Sequence, residues 1–300
     1  MEICMKRILA ALQLASALAF AFAFSLAFAG TALAQAPAAP SAPPKLLRVY
    51  REEVNVGKGP AHADFEAQYV EAFRGAGWPV TYLALESFTG PQEAWFLEGY
   101  ESWAALGKAE AEMEKQTALE AKLRELGEKD AAFLSKSSSF VAKYREDLSY
   151  RADISDLGKM RYMAVTTVRV KPGMGDEAEE AIKMLAAGYQ KAGVTDLRWA
   201  AYQVVSGLFG PTYVAMRPMA SLAEMDASFA EALKKAEGEE TSKRRVGHVK
   251  ESYFSSESRV FSFSPKMSFV RKELVAQDPE YWTPKPKKAP APAAKPEKKK

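Results

Sequence analysis

The chain has 300 residues, 26% of them charged, and a formal net charge of +3. Residues 1–35 hold Lys6, Arg7 and Glu2, residues 281–300 hold seven Lys and Glu297, and the remainder carries 32 basic against 36 acidic residues, near −4. The basicity is thus confined to the ends, which removes the main support for nucleic-acid binding by the globular part. The one cysteine, Cys4, excludes disulfide staples, thiolate metal sites and Cys nucleophiles from the rest of the chain.

Lys6-Arg7, an apolar run over 8–29 and the Ala32-Leu33-Ala34 site read as a secretory signal peptide over 1–34, with Gln35 as the first mature residue. Export to the periplasm or medium is the expectation; an uncleaved leader acting as a membrane anchor is the alternative, since the run nears the roughly 20 residues that span a bilayer. Residues 35–45 form a Pro/Ala spacer that cannot bury a core.

A first unit is expected over 46–147. Its opening strand, 46–56, breaks at Gly57-Lys58-Gly59-Pro60, and a helix follows with Phe65, Tyr69, Ala72, Phe73 and Ala76 on its inward face. Two strands, 80–88 and 93–100, flank Gly90-Pro91. Ser102 caps a helical region reaching about 134 and broken near Gly127, and 137–144 is a fourth, short strand. After a linker at 148–160, a second unit over 161–272 repeats the layout. It has a strand at 162–170, a helix at 176–192, strands at 197–205 and 212–216 around Gly210-Pro211, and a capping box at Ser221/Glu224. That box should open a helix burying Leu222, Met225, Phe229 and Leu233, with a last strand at 259–263. Residues 265–278 are expected to wrap back onto the fold, and the chain's end, within 273–300, to be a disordered Lys/Pro/Ala tail.

The repeated β-α-β-β-α-β order predicts an α+β fold of two tandem ferredoxin-like units closing into one intramolecular barrel. This layout, with its matched Gly-Pro turns, resembles the dimeric α+β barrel superfamily, which includes NIPSNAP-like proteins, antibiotic-biosynthesis-type monooxygenases and chlorite-dismutase-like haem proteins. The resemblance implies two four-stranded sheets meeting in a barrel, helices outside and a ligand in the lumen. It carries over no catalytic residue.

No phosphate loop, nucleophile elbow or HExxH motif is present, and no metal-ligand cluster at a fixed spacing is visible. Only His62 and His248 exist. His62 reads as a turn residue, with an acid/base group as the alternative, and His248 as a solvated residue of a basic stretch, or, under the haem alternative that the resemblance implies, as an axial ligand. Polar side chains on otherwise apolar strands are the stronger lead, because charge on an inner face is costly unless it is paired or faces a wet cavity. Arg169, Arg198, Trp199, Tyr202 and Gln203 are therefore the candidate ligand-binding residues, with Met163, Val165 and Val205 as apolar wall. Strand alternation puts Arg198 with Tyr202 on one face and Trp199 with Gln203 on the other. The expected function is binding of a small organic molecule, acidic or polar-headed, without a cofactor and without nucleic acid. A haem-dependent or cofactor-independent oxygenase is the first alternative. An envelope-associated structural protein using its Lys-rich tail on anionic polymers is the second.

Overall fold

The computed structural model describes residues 42–283. The expected leader, most of the spacer and the Lys-rich segment from 284 onward lie outside the described residues. Among the described residues no helix is long and apolar enough to cross a membrane.

Eight strands close a barrel in the order β1-β3-β2-β8-β5-β7-β6-β4. They are β1 (Leu46–Val54), β2 (Tyr82–Ser87), β3 (Glu93–Tyr100), β4 (Leu134–Tyr144), β5 (Tyr162–Val170), β6 (Ala200–Ser206), β7 (Thr212–Met219) and β8 (Tyr253–Phe263). Every pairing is antiparallel. Within each unit the order is the ferredoxin-like one, β4-β1-β3-β2 and β8-β5-β7-β6, and the units join along β2–β8 and β4–β6. The expected α+β fold with a closed barrel is the one that forms.

Alternation sorts each strand onto two faces, and here both are apolar because one meets the lumen and the other a helix layer. Leu47, Val49, Leu85, Trp95, Leu97, Phe140, Val165, Tyr202, Met216 and Phe261 point inward into one continuous core. The outward residues of the second unit, including Val168, Trp199, Ala201 and Tyr213, pack beneath helix α4 (Gly175–Lys191) with Ala178. Those of the first, including Tyr82, Ala84 and Phe96, pack under α1 (Gly59–Gly75) with Ala63, Val70 and Met267.

Several local expectations are corrected. The buried face of α1 is His62, Ala63, Glu66 and Val70, with Phe65, Tyr69 and Phe73 only half-buried. A hydrophobicity pattern is blind to buried charge, so it places the face about one residue round. The helical break falls at Gln116, between α2 (Trp103–Lys115) and α3 (Thr117–Asp130), and Gly127 lies within α3. The Ser102 hydroxyl does cap α2, accepting from Ala105 N at 3.1 Å. The Ser221/Glu224 capping box forms, but on a single 3-10 turn, Leu222–Met225, and Met225 stays exposed. The chain then enters α5 (Ala230–Glu237) and α6 (Glu239–Ser252), and of the expected stripe only Leu233 is fully buried. The tail does not begin at 273, since α7 (Lys272–Val275) and α8 (Pro279–Trp282) continue the fold. Trp282 is buried in the barrel core, its indole N–H donating to the Gly158 carbonyl at 2.7 Å.

Candidate functional site

The barrel's two ends are built differently. At one end Glu93 enters the lumen, 3% exposed, and takes hydrogen bonds from Trp95 Nε1 at 2.6 Å and Arg259 Nη1 at 2.6 Å. Arg51 pairs with the same carboxylate at 3.1 Å, its guanidinium stacked 4.7 Å from the Trp95 ring. Burial acts to raise the Glu93 carboxyl, but the bonds from Trp95 and Arg259 and the two arginine charges outweigh it and hold it below its ordinary value. This end is plugged.

The other end is open. A cavity of about 390 Å³ lies between the starts of β1, β2, β5 and β6 and the C-terminal segment. Leu47, Leu83, Leu97, Met163, Met216 and Leu274 supply its wall, while Tyr202 and Arg198 supply polar groups. A shallower groove of about 980 Å³ continues outward past Arg151, Asp153 and Asp156. Arg198 sits at the junction of the two and is oriented by Asp156 Oδ1 (2.7 Å) and the Asp153 carbonyl (2.9 Å). The Tyr202 ring faces Tyr144 at 5.6 Å. Burial, reinforced by Tyr144, pushes the Tyr202 phenol well above its usual range, so it remains a neutral hydrogen-bonding group. The carboxylates on the cavity wall, Glu101 and Asp153, are exposed at its rim.

Of the five residues proposed from sequence, the structure brings Arg198 and Tyr202 together at this mouth, which Trp199 also borders. The expected alternation holds for the other pair. Trp199 turns into the helix layer, donating from Nε1 to the Leu148 carbonyl at 2.9 Å, and Gln203 accepts from Arg145 Nη1 at 3.1 Å. Arg169 has lumen parity but lies at the far end of β5, exposed, with its guanidinium 5.4 Å from the Phe209 ring and 5.0 Å from Phe254. Met163 lines the cavity and Val165 lies deeper in the lumen core, whereas Val205 is 47% exposed. His248 is half-buried on α6 and is not among the residues lining either cavity. His62 is in the layer between α1 and the sheet. Among the described residues the lumen therefore offers no imidazole to a haem iron, and the geometry does not fit His248 as that ligand.

His62 is not a turn residue. It is buried on α1 beside Glu66, with Glu52 of β1 and Asp130 of α3, and one ligand atom from each of the four lies within 4.8 Å of the others. Burial first, then the Glu52 and Asp130 charges, raise Glu66 well above the carboxylate range. Burial and Glu52, opposed by His62, push Asp130 up to about 6. The four residues come from three elements, so no local spacing announces them; the one sequence signal is His62 and Glu66 one helical turn apart.

No protein-family model matches the chain, and neither does any curated protein. Solved structures do. An anthrone oxidase-like protein is 17% identical with a TM-score of 0.51, over 78% of this chain and 97% of that one. A protein from Lactobacillus acidophilus assigned as a monooxygenase is 8% identical with a TM-score of 0.44, over 73% and 93%. A chlorite dismutase from Candidatus Nitrospira defluvii in complex with imidazole is 8% identical with a TM-score of 0.44, over 78% and 95%. The likeness to the anthrone oxidase-like protein shows the fold, an α+β barrel closed by eight antiparallel strands.

Proposed function

We propose that the chain binds a small, largely apolar molecule with a polar or acidic head in the open mouth of the barrel. The observation that carries this is the 390 Å³ cavity itself, apolar in its wall and supplied with Tyr202 and Arg198. Ligand sites are typically concave and apolar with a few placed polar groups, and this size suits a molecule of a few rings or a short chain. The apolar part would lie against Leu47, Leu97 and Met216, and the head would meet Arg198, whose guanidinium is held ready by Asp156. The signal-peptide reading would place this binding outside the cytoplasm, which the intact mass of exported protein would test.

Oxygenase chemistry is the second reading, because an anthrone oxidase-like protein has this fold. Cofactor-free oxygenation needs a base to draw a proton from the bound ring. The described cavity wall supplies a neutral Tyr202 and rim carboxylates, which favours binding over turnover.

The test is a thermal-shift screen of polycyclic phenols, anthrone among them, and of medium-chain acids, repeated on Ala200→Phe, which projects a ring into the cavity. Hits should raise the melting temperature of the parent and not of the variant. Arg198→Ala should weaken acidic hits about tenfold against neutral isosteres, the loss of one charge-assisted bond. Equal shifts in Ala200→Phe would place the ligand elsewhere. Oxygen uptake with a bound hit would move the protein to the oxygenase reading.

A further inference from the structure

The buried cluster on the outer face of the barrel has no part in that site. Outward alternation on β1 aims Glu52 at the helix layer. One turn of α1 sets His62 and Glu66 on its buried face, and the last residue of α3, Asp130, closes the group from the side. The distances converge on the imidazole: His62 Nε2 lies 3.0 Å from Glu52 Oε2, 3.8 Å from Asp130 Oδ1 and 3.9 Å from Glu66 Oε1. Two ligands each about 2.1 Å from a tetrahedral ion stand about 3.4 Å apart, so these separations already lie within about 0.5 Å of a coordination shell.

Charge points the same way. Three carboxylates share this space with the His62 imidazole, and among the described residues no Lys or Arg pairs with them. Asp130 is 3% exposed, and its Oδ1 is buried with no hydrogen-bond partner while aimed at His62 Nε2. A buried anionic oxygen without a partner is costly, and proteins resolve that cost with a counter-charge or a metal. The other buried carboxylates among the described residues are paired with arginine: Glu93 has two arginines and an indole N–H, and Glu237 has Arg245.

We propose that Glu52, His62, Glu66 and Asp130 form a binding site for one divalent first-row transition-metal ion. An imidazole with carboxylates and no sulfur suits Zn2+, Mn2+ or Fe2+ more than soft ions, and the single nitrogen ligand separates it from the all-oxygen shells of Ca2+ and Mg2+. Four protein ligands make it a closed, structural site that ties α1 and the end of α3 to β1. Glu52 is the most accessible of the four, with its side chain 17% exposed, and marks the way in.

The test uses the full chain after chelator treatment, titrated calorimetrically with ZnCl2, MnCl2, CaCl2 and MgCl2 and melted with each. One equivalent of Zn2+ or Mn2+ should bind, and at a hundredfold excess over Kd it should raise the melting temperature by about 5–10 °C. Glu66→Gln and Asp130→Asn keep side-chain size but remove a ligand charge. Both should weaken binding by tenfold or more while the metal-free variants melt no lower than the metal-free parent, since each replaces a crowded buried carboxyl by a neutral amide of the same size. No heat and no shift with any ion would overturn the proposal, as would variants that bind as tightly as the parent. Equal preference for Ca2+ would replace the transition-metal assignment.

Discussion

Glu93 lies between Trp95, Arg51 and Arg259, and at 3% exposure it cannot trade these partners for water. Removing its charge leaves two guanidinium groups facing each other at the plugged end, and breaking a buried pair in this way costs about 3 kcal/mol or more. Glu93→Gln should therefore lower stability by about that amount in denaturant melts at pH 7; a change within about 0.5 kcal/mol would mean the arginines are solvated. The pH dependence has its origin in the same contacts. The folded Glu93 sits below its ordinary value of 4.5, so its contribution is complete above that value and is lost as pH falls through the lower folded one. The variant should show a shallower loss of stability between neutral pH and acid than the parent. At this scale the sequence is partly readable. Alternation correctly separates Arg198 and Tyr202 from Trp199 and Gln203, but it cannot say how far along the barrel Arg169 lies. His62 looks like a turn residue in sequence because its partners, Glu52 and Asp130, come from other elements, and only tertiary packing reveals a buried charge.

Strands are legible where a single face has to choose between lumen and helix layer, and β3 has the expected bounds, Glu93–Tyr100. Helices after a polar cap are harder. Ser221 and Glu224 satisfy each other as the sequence implies, yet the turn they cap ends at Met225, and α5 starts only at Ala230. A capping box reports a local hydrogen bond and cannot fix the length of the helix it opens. The C-terminal segment departs furthest from expectation, because its Lys/Pro/Ala surroundings hide two anchors. The Tyr281 hydroxyl donates to the Phe263 carbonyl at 2.8 Å, and the Trp282 ring packs in the core 6.3 Å from the Phe263 ring. Trp282→Ala should cost about 3–5 kcal/mol, the usual range for deleting a buried large aromatic. Truncation after Thr283 should leave the melt unchanged within a degree or two, whereas truncation after Asp278 should reproduce the Trp282→Ala loss. Equal melts for both truncations would mean the anchor contributes nothing.

Across the whole molecule, the barrel depends on both halves at once. Residues of all eight strands meet in one core, from Leu47 and Val49 of β1 to Phe261 and Phe263 of β8. The seams that join the halves are short, with Leu85, Glu86 and Ser87 of β2 meeting Phe263, Ser262 and Phe261 of β8, and four pairs between β4 and β6. Backbone pairing at the seams is thus modest, and the shared lumen must supply most of the cohesion between the halves. Residues 42–150 expressed alone would expose the inward faces of Leu83, Leu85, Trp95, Leu97 and Phe140, an apolar surface larger than soluble monomers usually show. They would also expose β2 and β4 as unprotected edges. The fragment should therefore self-associate, as a dimer that closes a barrel from two copies or as insoluble material, and sedimentation velocity distinguishes these. The intact chain should instead unfold in one transition, with far-UV dichroism and tryptophan fluorescence coincident, because neither half has a core of its own inside the barrel. A fragment that stays a folded monomer, or an intact chain whose two probes separate, would show that the halves are independent and the shared lumen is not what holds them.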